Sequence, residues 1–508
     1  MNDMNKIKRL VIVGGGTAGW MAAAAFGKLL GKVLDIRLVE SKEIPTIGVG
    51  EATIPMLRTF HQTLEIDELE FMKATKATFK LGIDFDGWLD KNHNYFHSFG
   101  VSGKDTWVAT FHNYWLKGQE TGNKQDFGEF CLEWVAARAG KFAKTEKPKM
   151  NYGYHLDASL YAKFLRKHAT AQNVKRTEGT VEHVNCNKDN GHIESLVLKD
   201  GEVIEGDFFI DCTGFKALLI EETLHSGFED WSHWLPCDSA VAMQTETVGE
   251  AMPYTLSATH DAGWRWKIPL QHRMGNGLLY SSKNISDEDA IKYLKEKTEG
   301  KPLHEPKVFK FRPGIRRKSW NKNCVAMGFA NGFIDALEST SIHQIQRSIF
   351  RLVQMFPVNG VSQADEDEYN LETRAETDLI RDFVILHYKV TNRRDTPFWR
   401  RCESMEIPED LERKIRLFKE TGRIFRDPKD LFAETSWQQV LIGLDVIPKQ
   451  YNAIVDIISD EENHNILKKL SAPIKEFVDK LPTHEEFLKQ YCMGENVVET
   501  KESEETVA

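Results

Sequence analysis

The sequence predicts an α/β protein with a parallel dinucleotide-binding sheet, an antiparallel sheet beside it and a mainly helical C-terminal part. Three patterns carry this prediction. An apolar run meets a glycine cluster and an Ala-rich helix at the N-terminus, residues 240–283 alternate apolar and polar side chains, and apolar residues recur at helical spacing beyond about residue 340. At 508 residues the chain is long for one compact core, so two or three intimately packed subdomains are expected. We expect a dinucleotide-binding module over residues 1–340, with the antiparallel substrate-side sheet inserted near 90–180 and 225–300. A mainly helical region over 341–495 and a disordered acidic tail over 496–508 follow.

The elements follow in order. Lys8 to Val13 reads as a short apolar strand, residues 18–30 as a helix rich in Ala and Leu, and residues 34–40 as a second strand, which together make a βαβ unit. From about residue 179, short β-rich runs joined by an Asp200-Gly201 turn predict a meander that returns to the parallel sheet through GDFFIDCTG. Trp107, Phe111 and Trp115 are expected to pack over that sheet. GWRWKIPL and the Gly-rich hairpin MGNGLLYSS predict the antiparallel sheet. Near the C-terminus, Ile466, Leu467, Leu470, Ile474, Phe477, Val478 and Leu481 recur at helical steps, with Pro473 predicting a kink or break. Thr483 followed by Glu486 forms a capping-box pattern for one more helix.

Composition narrows the function. No run of eighteen apolar residues appears, which excludes a membrane span, and the basic N-terminal stretch enters a strand without a signal-peptide core, which points to the cytoplasm. The seven cysteines are odd in number, scattered and without a CxxC pair, so reduced thiols are expected rather than disulfides or a metal site. A net charge of −10 disfavours nucleic acid and favours small-molecule partners.

Gly14, Gly16 and Gly19 fit G-x-G-x-x-G directly after a strand and at the start of a helix, where missing side chains let a pyrophosphate approach the helix N-terminus. Glu40 ends the next strand, where a carboxylate accepts hydrogen bonds from a ribose. The motif alone does not separate FAD from NAD. Residues 206–215 and 324–335 each read as a buried strand followed by a Gly-containing turn, the punctuation that holds an extended FAD in a flavin-monooxygenase-like fold.

With these segments the chain resembles the flavin-dependent halogenase family, whose best-known branch is the tryptophan halogenases. The resemblance runs from about residue 8 to about 450. It is carried by GGGTAGW (14–20), IGVGEATIP (47–55), TFKLGIDFDGW (78–88), HSFG (97–100), IDCTGF (210–215), GWRWKIP (263–269) and ALESTSI (336–342). The W-x-W-x-I-P run, Trp264 to Pro269, is the most specific of these. Also similar are HYKVTNRRDTPFWR (387–400) and FAETSWQQVLIGL (432–444).

The resemblance implies a flavin-monooxygenase-like FAD-binding fold. FAD contacts are carried over to Gly14, Gly16, Thr17, Ala18, Gly19 and Glu40, to Val49, Gly50, Glu51 and Ala52, and to Val181, Asp211, Gly214, Phe329 and Ile342. Reduced flavin comes from a separate NAD(P)H-dependent reductase, since no second dinucleotide site is visible and the protein is not expected to oxidise NADH unaided. Chloride or bromide, held by the backbone of Thr340 and Ser341, becomes hypohalous acid at the flavin. The acid then passes through an internal tunnel to an aromatic substrate, while Trp264 and Trp266 shield the flavin site. Lys80 and Glu338 are the catalytic pair, and His97, Phe99 and Trp437 line the substrate slot. No metal is called for. The substrate is a small electron-rich aromatic, indole-like or phenolic, and the enzyme a monomer or homodimer.

Read from the residues, Phe79, Leu81, Ile83 and Phe85 alternate with Lys80, Gly82, Asp84 and Asp86 on one expected strand. Lys80 then points to solvent or to a polar cavity, and alternation leaves both open. An ammonium there donates a hydrogen bond to hypohalous acid, and a neutral amine forms a haloamine. Glu338 serves as a base for the ring proton or as a helix-start carboxylate. His97 is an aromatic wall or a hydrogen-bonded structural histidine. Where tryptophan halogenases usually carry proline and glycine, this chain has Ala336 and Ser341; a need for φ > 0 at Ser341 would store backbone strain. A flavin-dependent aromatic hydroxylase and a non-catalytic flavin-binding protein are the competing readings. Lys80, Glu338 and the W-x-W-x-I-P run speak against the first, and Lys80 with Glu338 against the second.

Overall fold

The computed structural model describes residues 6–43 and 50–493. Its first layer is a six-stranded sheet, in the order Trp320–Asn321, Cys324–Ala326, Phe208–Asp211, Arg9–Val13, Asp35–Glu40 and Lys175–Glu178. All neighbours run parallel except the antiparallel edge pair Trp320–Asn321 and Cys324–Ala326. The central strands are apolar on both faces because both faces are covered, which is why RLVIV and FFID read as continuous apolar runs rather than alternations. Helix Thr17–Leu30 lies on one face, and its alanines 22–25 let it close against helix Ala158–Ala171. The predicted meander is present as strands Val181–Cys186, Ile193–Leu198 and Val203–Glu205, with Gly201 at φ 89° in the turn.

The antiparallel sheet is larger than its expected segment. Seven strands lie in the order Lys307–Lys310, Ser239–Thr245, Met274–Tyr280, Gly263–Pro269, Thr255–His260, Gly82–Asp86 and Asn94–Ser98, with one parallel pair between Thr255–His260 and Gly82–Asp86. The stretch around Lys80 departs from the expected single strand. Thr78–Lys80 pairs with Gly153–Asp157 in a separate three-stranded sheet that also holds Gly50–Ala52, and Gly82–Asp86 joins the seven-stranded sheet. Leu81 is the crossing point, donating its N–H to Pro253 O at 2.7 Å and accepting from Phe99 N at 2.8 Å.

Between residues 98 and 153 the regular elements are short helices joined by loops rather than a sheet insertion. Phe111 and Trp115 bury against Phe127 and Phe130, but Trp107 is 97% exposed and packs over nothing. Beyond residue 340 the described residues contain helices and no strand. The longest, Gln363–Lys389, sends Ile380, Phe383, Val384, His387 and Tyr388 into the core against the antiparallel sheet. Pro473 does not break its helix, which runs unbroken over Asp460–Asp479. Thr483 and Glu486 form the expected capping box, with Thr483 N to Glu486 Oε2 at 2.8 Å and Glu486 N to Thr483 Oγ1 at 3.2 Å. The seven cysteines are free thiols. No described helix is long and apolar enough to cross a membrane.

Helix Gln363–Lys389 is held on the parallel sheet by Trp320, fully buried and edge-on to Phe208 and Tyr369 with ring centroids at 5.4 Å. Trp320→Ala leaves a cavity the sheet edge cannot fill, and denaturant unfolding should show a loss of about 3–5 kcal/mol.

Candidate functional site: a cofactor chamber joined to a buried lysine

A cavity of about 470 Å³ opens at the carboxyl ends of the parallel strands. Its floor is the glycine turn. Gly14 sits at φ 116°, and a Cβ there would stand 2.2 Å from Cys212 O. Gly16 caps helix Thr17–Leu30 without any side-chain hydrogen bond, so the first helical amides are left for an anion. Thr17, Ala18, Val181, Gly214, Phe329 and Ile342 line the chamber with Gly14 and Gly16, as does Gly15, which the motif does not single out. Gly19 does not line it. A Cβ on Gly19 would meet Gly14 O at 1.8 Å, so this glycine lets the helix press on the turn. Glu40 forms the far wall, accepting from Trp20 Nε1 at 3.1 Å and from Arg176 Nε.

Asp211 is a correction. It is fully buried and faces away from the chamber; its oxygens accept from Thr213 N (2.9 Å), Thr213 Oγ1 (2.6 Å), Leu219 N (2.7 Å) and Ile220 N (2.8 Å). It shapes the turn Cys212–Gly214 and touches no cavity. Gly50 and Ala52 line a second cavity rather than the first, whereas Glu51 lines both. Val49 lies outside the described residues.

That second cavity, about 120 Å³, is an apolar passage leading from the chamber. Trp264 and Trp266 stand two residues apart on one strand and so share a face, with rings 5.9 Å apart. Trp264 is pinned by Nε1 donating to Tyr388 Oη at 3.0 Å, and Tyr388 in turn donates to Asp335 at 2.8 Å. Phe215 and Phe329 stack at 4.6 Å where the two cavities meet.

The passage ends at Ser339, behind which lies Lys80. Lys80 is fully buried, donates to Ser339 Oγ at 2.8 Å and sits 5.1 Å above the Phe99 ring. Burial pushes its ammonium down to about 7, against the opposing pull of Glu338. The solvated alternative for Lys80 is thereby excluded. Ser339 carries φ 58°, so the left-handed turn falls here and not at Ser341, which begins helix Ser341–Gln354. The expected strain at Ser341 is absent for that reason. Thr340, 1% exposed with an unpartnered Oγ1, makes no side-chain cap, so amides at this helix start are also free of side-chain partners. Ser341 lines both cavities.

Glu338 does not cap the helix and does not touch Lys80 through a hydrogen bond. His97 Nδ1 lies 2.9 and 3.1 Å from its two oxygens, and His387 Nε2 lies 2.9 Å from Oε1, off the ideal hydrogen-bond line. Tyr95 Oη is 2.6 Å from His387 Nδ1. Burial alone would raise the Glu338 carboxyl, but the two histidines outweigh it and hold it down at about 2. The Tyr95 phenol is pushed well up by burial and so stays a donor toward His387.

His97 is 3% exposed, tilted against Phe383 and Phe432 with centroids at 5.6 and 6.1 Å, while Phe99 is half-buried. Trp437 is a second correction. It is fully buried, T-shaped on Phe383 at 4.9 Å with Nε1 donating to Asp430 at 3.1 Å, so it packs the core behind the site and borders no open space. Ser339, His387 and Tyr95 are functional neighbours that sequence reasoning missed; the first two lie inside segments quoted above, and Tyr95 gives no sequence signal. Among the described residues no group of three metal-ligating side chains converges.

A glycine-floored chamber thus adjoins an apolar cavity that reaches Ser339, the hydrogen-bond partner of the buried Lys80. Comparison with known proteins gives the family. The tryptophan halogenase family model matches residues 9–460, and the chain belongs to that family of flavin-dependent halogenases. It is 33% identical to tryptophan 7-halogenase RebH of Lentzea aerocolonigenes, over 96% of this chain and 99% of that protein. A flavin-dependent halogenase structure from Xanthomonas campestris superposes with TM-score 0.94 at 50% identity, covering 96% of this chain and 99% of that one. BrvH, a flavin-dependent halogenase of Brevundimonas sp. BAL3, gives 0.92 at 41% identity, with coverage of 96% and 99%.

Gly19→Ala drives a methyl into the Gly14 carbonyl and displaces the cradle. Flavin fluorescence titration should show FAD affinity falling at least about tenfold, a loss of about 1.4 kcal/mol.

Proposed function

We propose that this chain is an FADH2- and O2-dependent halogenase of electron-rich aromatic rings, indole-like or phenolic, using bromide or chloride. The observation that carries the reading is Lys80, buried and bound to Ser339 at the end of an apolar passage that begins at the cofactor chamber. The chamber residues fit FAD. Uncapped amides after Gly16 suit a pyrophosphate, Glu40 stands at ribose reach of the next strand end, and the chamber extends past Gly214, Phe329 and Ile342 for a flat ring system. Delivered reduced by a separate NAD(P)H-dependent reductase, FAD supplies with O2 the oxidising power that turns halide into hypohalous acid.

The protein's own residues do the rest. Backbone amides of Thr340 and Ser341, free of side-chain caps, hold the halide beside the chamber. Trp264 and Trp266 narrow the passage so that hypohalous acid fits and an aromatic ring does not. At its end Lys80 donates a hydrogen bond to the acid's oxygen and makes the halogen more electrophilic. Ser339, already paired with Lys80, orients that contact. Glu338, ionised and fixed by His97 and His387, takes the proton released when halogen adds to the ring. His97 and Phe99 flank the position of that ring, which rests on apolar contact; no match was found for groups that clamp the ends of a free amino acid, so indole or a simpler aromatic suits the site better than tryptophan.

Incubation with FAD, a reductase, NADH, O2 and each halide over a panel of aromatics, followed by mass spectrometry, tests the reading; hydroxylated products would establish a monooxygenase instead. Lys80→Ala should still consume O2 and oxidise halide while halogenated product falls about 10²–10⁴-fold. If product survives, Lys80 does not deliver halogen.

The pH profile fixes the form of Lys80. With the ammonium as donor, halogenated product per hypohalous acid formed falls as pH rises through about 7, where the buried group loses its proton. A rise through the same range assigns a haloamine.

Removing a histidine removes what holds Glu338 ionised. His387→Asn should therefore move the acid limb of that profile upward and lower turnover with KM little changed, whereas a purely structural loss would leave the limb in place.

A further inference from the structure

Glu51 stands where the cofactor chamber opens into the passage. It lines both cavities, together with Phe215, Phe329, Phe333 and Ser341, and it is the only titratable side chain along the described walls of the passage. Its carboxyl has no hydrogen-bond or ion-pair partner among the described residues. The charged groups on the elements packed around it are engaged elsewhere. Asp157, across the small sheet, is tied to Arg273 at 2.6 Å; His155 is bound on both ring nitrogens by Thr78 and Thr255; Lys267 pairs with Glu299. On the chamber side Arg347 holds Glu376, Lys216 faces Glu222 and Glu40 is held by Arg176, while neutral His343 is turned down to about 4 by burial. Desolvation without a partner pushes the half-buried Glu51 carboxyl up to about 7, so the protonated acid is well populated near neutral pH.

A lone acid at this throat answers a need of the chemistry, on the halogenase reading above. Reduced flavin, O2, a halide ion and one proton give oxidised flavin, hypohalous acid and water; flavin and halide each lose two electrons and O2 gains four. The proton must come from outside the reactants, and the described passage walls carry no titratable side chain other than Glu51. An ionised carboxylate next to Ser341 would repel the halide, whereas a neutral acid does not. We propose that Glu51 is the proton donor of halide oxidation. Its O–H bond breaks, the proton goes to the oxygen atom that leaves as water, and the carboxylate is reprotonated from solvent through the chamber.

The test has a flavin-free arm and a turnover arm. In the flavin-free protein labelled with ¹³C-glutamate, one carboxyl resonance should titrate near neutral pH and be missing from Glu51→Gln. The melting temperature of Glu51→Gln should exceed that of the wild type by more at mildly alkaline than at mildly acidic pH. The sign follows because a carboxyl raised in the native state costs stability as pH rises above its unfolded value. In turnover with reductase-supplied FADH2 and a diffusible halogen acceptor, Glu51→Gln should make about 10²-fold less hypohalous acid per O2, releasing hydrogen peroxide instead, and Glu51→Asp should recover part of the yield. An unchanged yield in Glu51→Gln, or a Glu51 that titrates in the ordinary glutamate range, overturns the role. Should Glu51→Gln fail to bind FAD, the flavin-free titration and the Asp variant decide. A wild-type protein that oxidises no halide sinks the halogenase reading itself and leaves the titration result standing.

Discussion

The burial of one ionised carboxylate, Glu338, is the constraint on which the site's architecture turns. A charge at 1% exposure is tolerated only with partners on it, because leaving water costs several kcal/mol. Those partners come from remote parts of the chain: His97 from the edge of the antiparallel sheet and His387 from the last turn of helix Gln363–Lys389. The turn bearing Glu338 is thereby clamped between sheet and helix. Its continuation at Ser339 takes a left-handed backbone that a serine adopts only when its surroundings dictate it. That turn aims Ser339 at both Lys80 and the passage, so the position of the amine depends on the satisfaction of the acid.

Separation is the second theme. Lys80 and the glycine cradle belong to different sheets, and the apolar passage runs from the chamber of one to Ser339, the partner of the other. Dispersed placement protects each half. On the proposed reading, a passage lined by Trp264 and Trp266 would preserve a small neutral oxidant, and the buried amine with its lowered affinity for a proton would meet it in a low-dielectric pocket where a single hydrogen bond counts for more than in water. Tyr388 shows how tightly this is built. It fixes the Trp264 ring on one side and closes on Asp335 on the other, just upstream of the Glu338 turn.

How far the sequence discloses this follows the range of the interactions concerned. The glycine turn was legible because strand, turn and helix are neighbours in the chain, and Gly14 and Gly16 line the chamber at the helix start. Trp264 and Trp266 were legible because a period of two within one strand is local geometry. Asp211 was misread: a carboxylate at the end of a strand looks the same whether it meets a ligand or caps its own turn. Alternation around Lys80 misled, since the strand changes sheets at Leu81 and a sheet switch leaves no mark on an apolar–polar pattern. Glu338 lay outside local reach altogether, its partner His97 being 241 residues away. Aromatic spacing likewise could not tell exposed Trp107 from buried Trp437.

The same physics orders the titratable groups along the route. Glu51, alone at the throat, and Lys80, beyond the passage, are both drawn toward neutrality, the acid raised and the amine lowered to about 7, while Glu338, paired with two histidines, holds no proton. Burial raises the cost of charge at all three, and what differs is the number of partners supplied against it. On the proposed halogenase reading, an acid at the throat, an amine poised between its two forms and a committed base at the far end make a sequence running from flavin chamber to aromatic slot. It parallels the order in which halogenation needs them: a proton consumed where halide is oxidised, polarisation where the oxidant arrives, and a proton removed from the ring where the product forms.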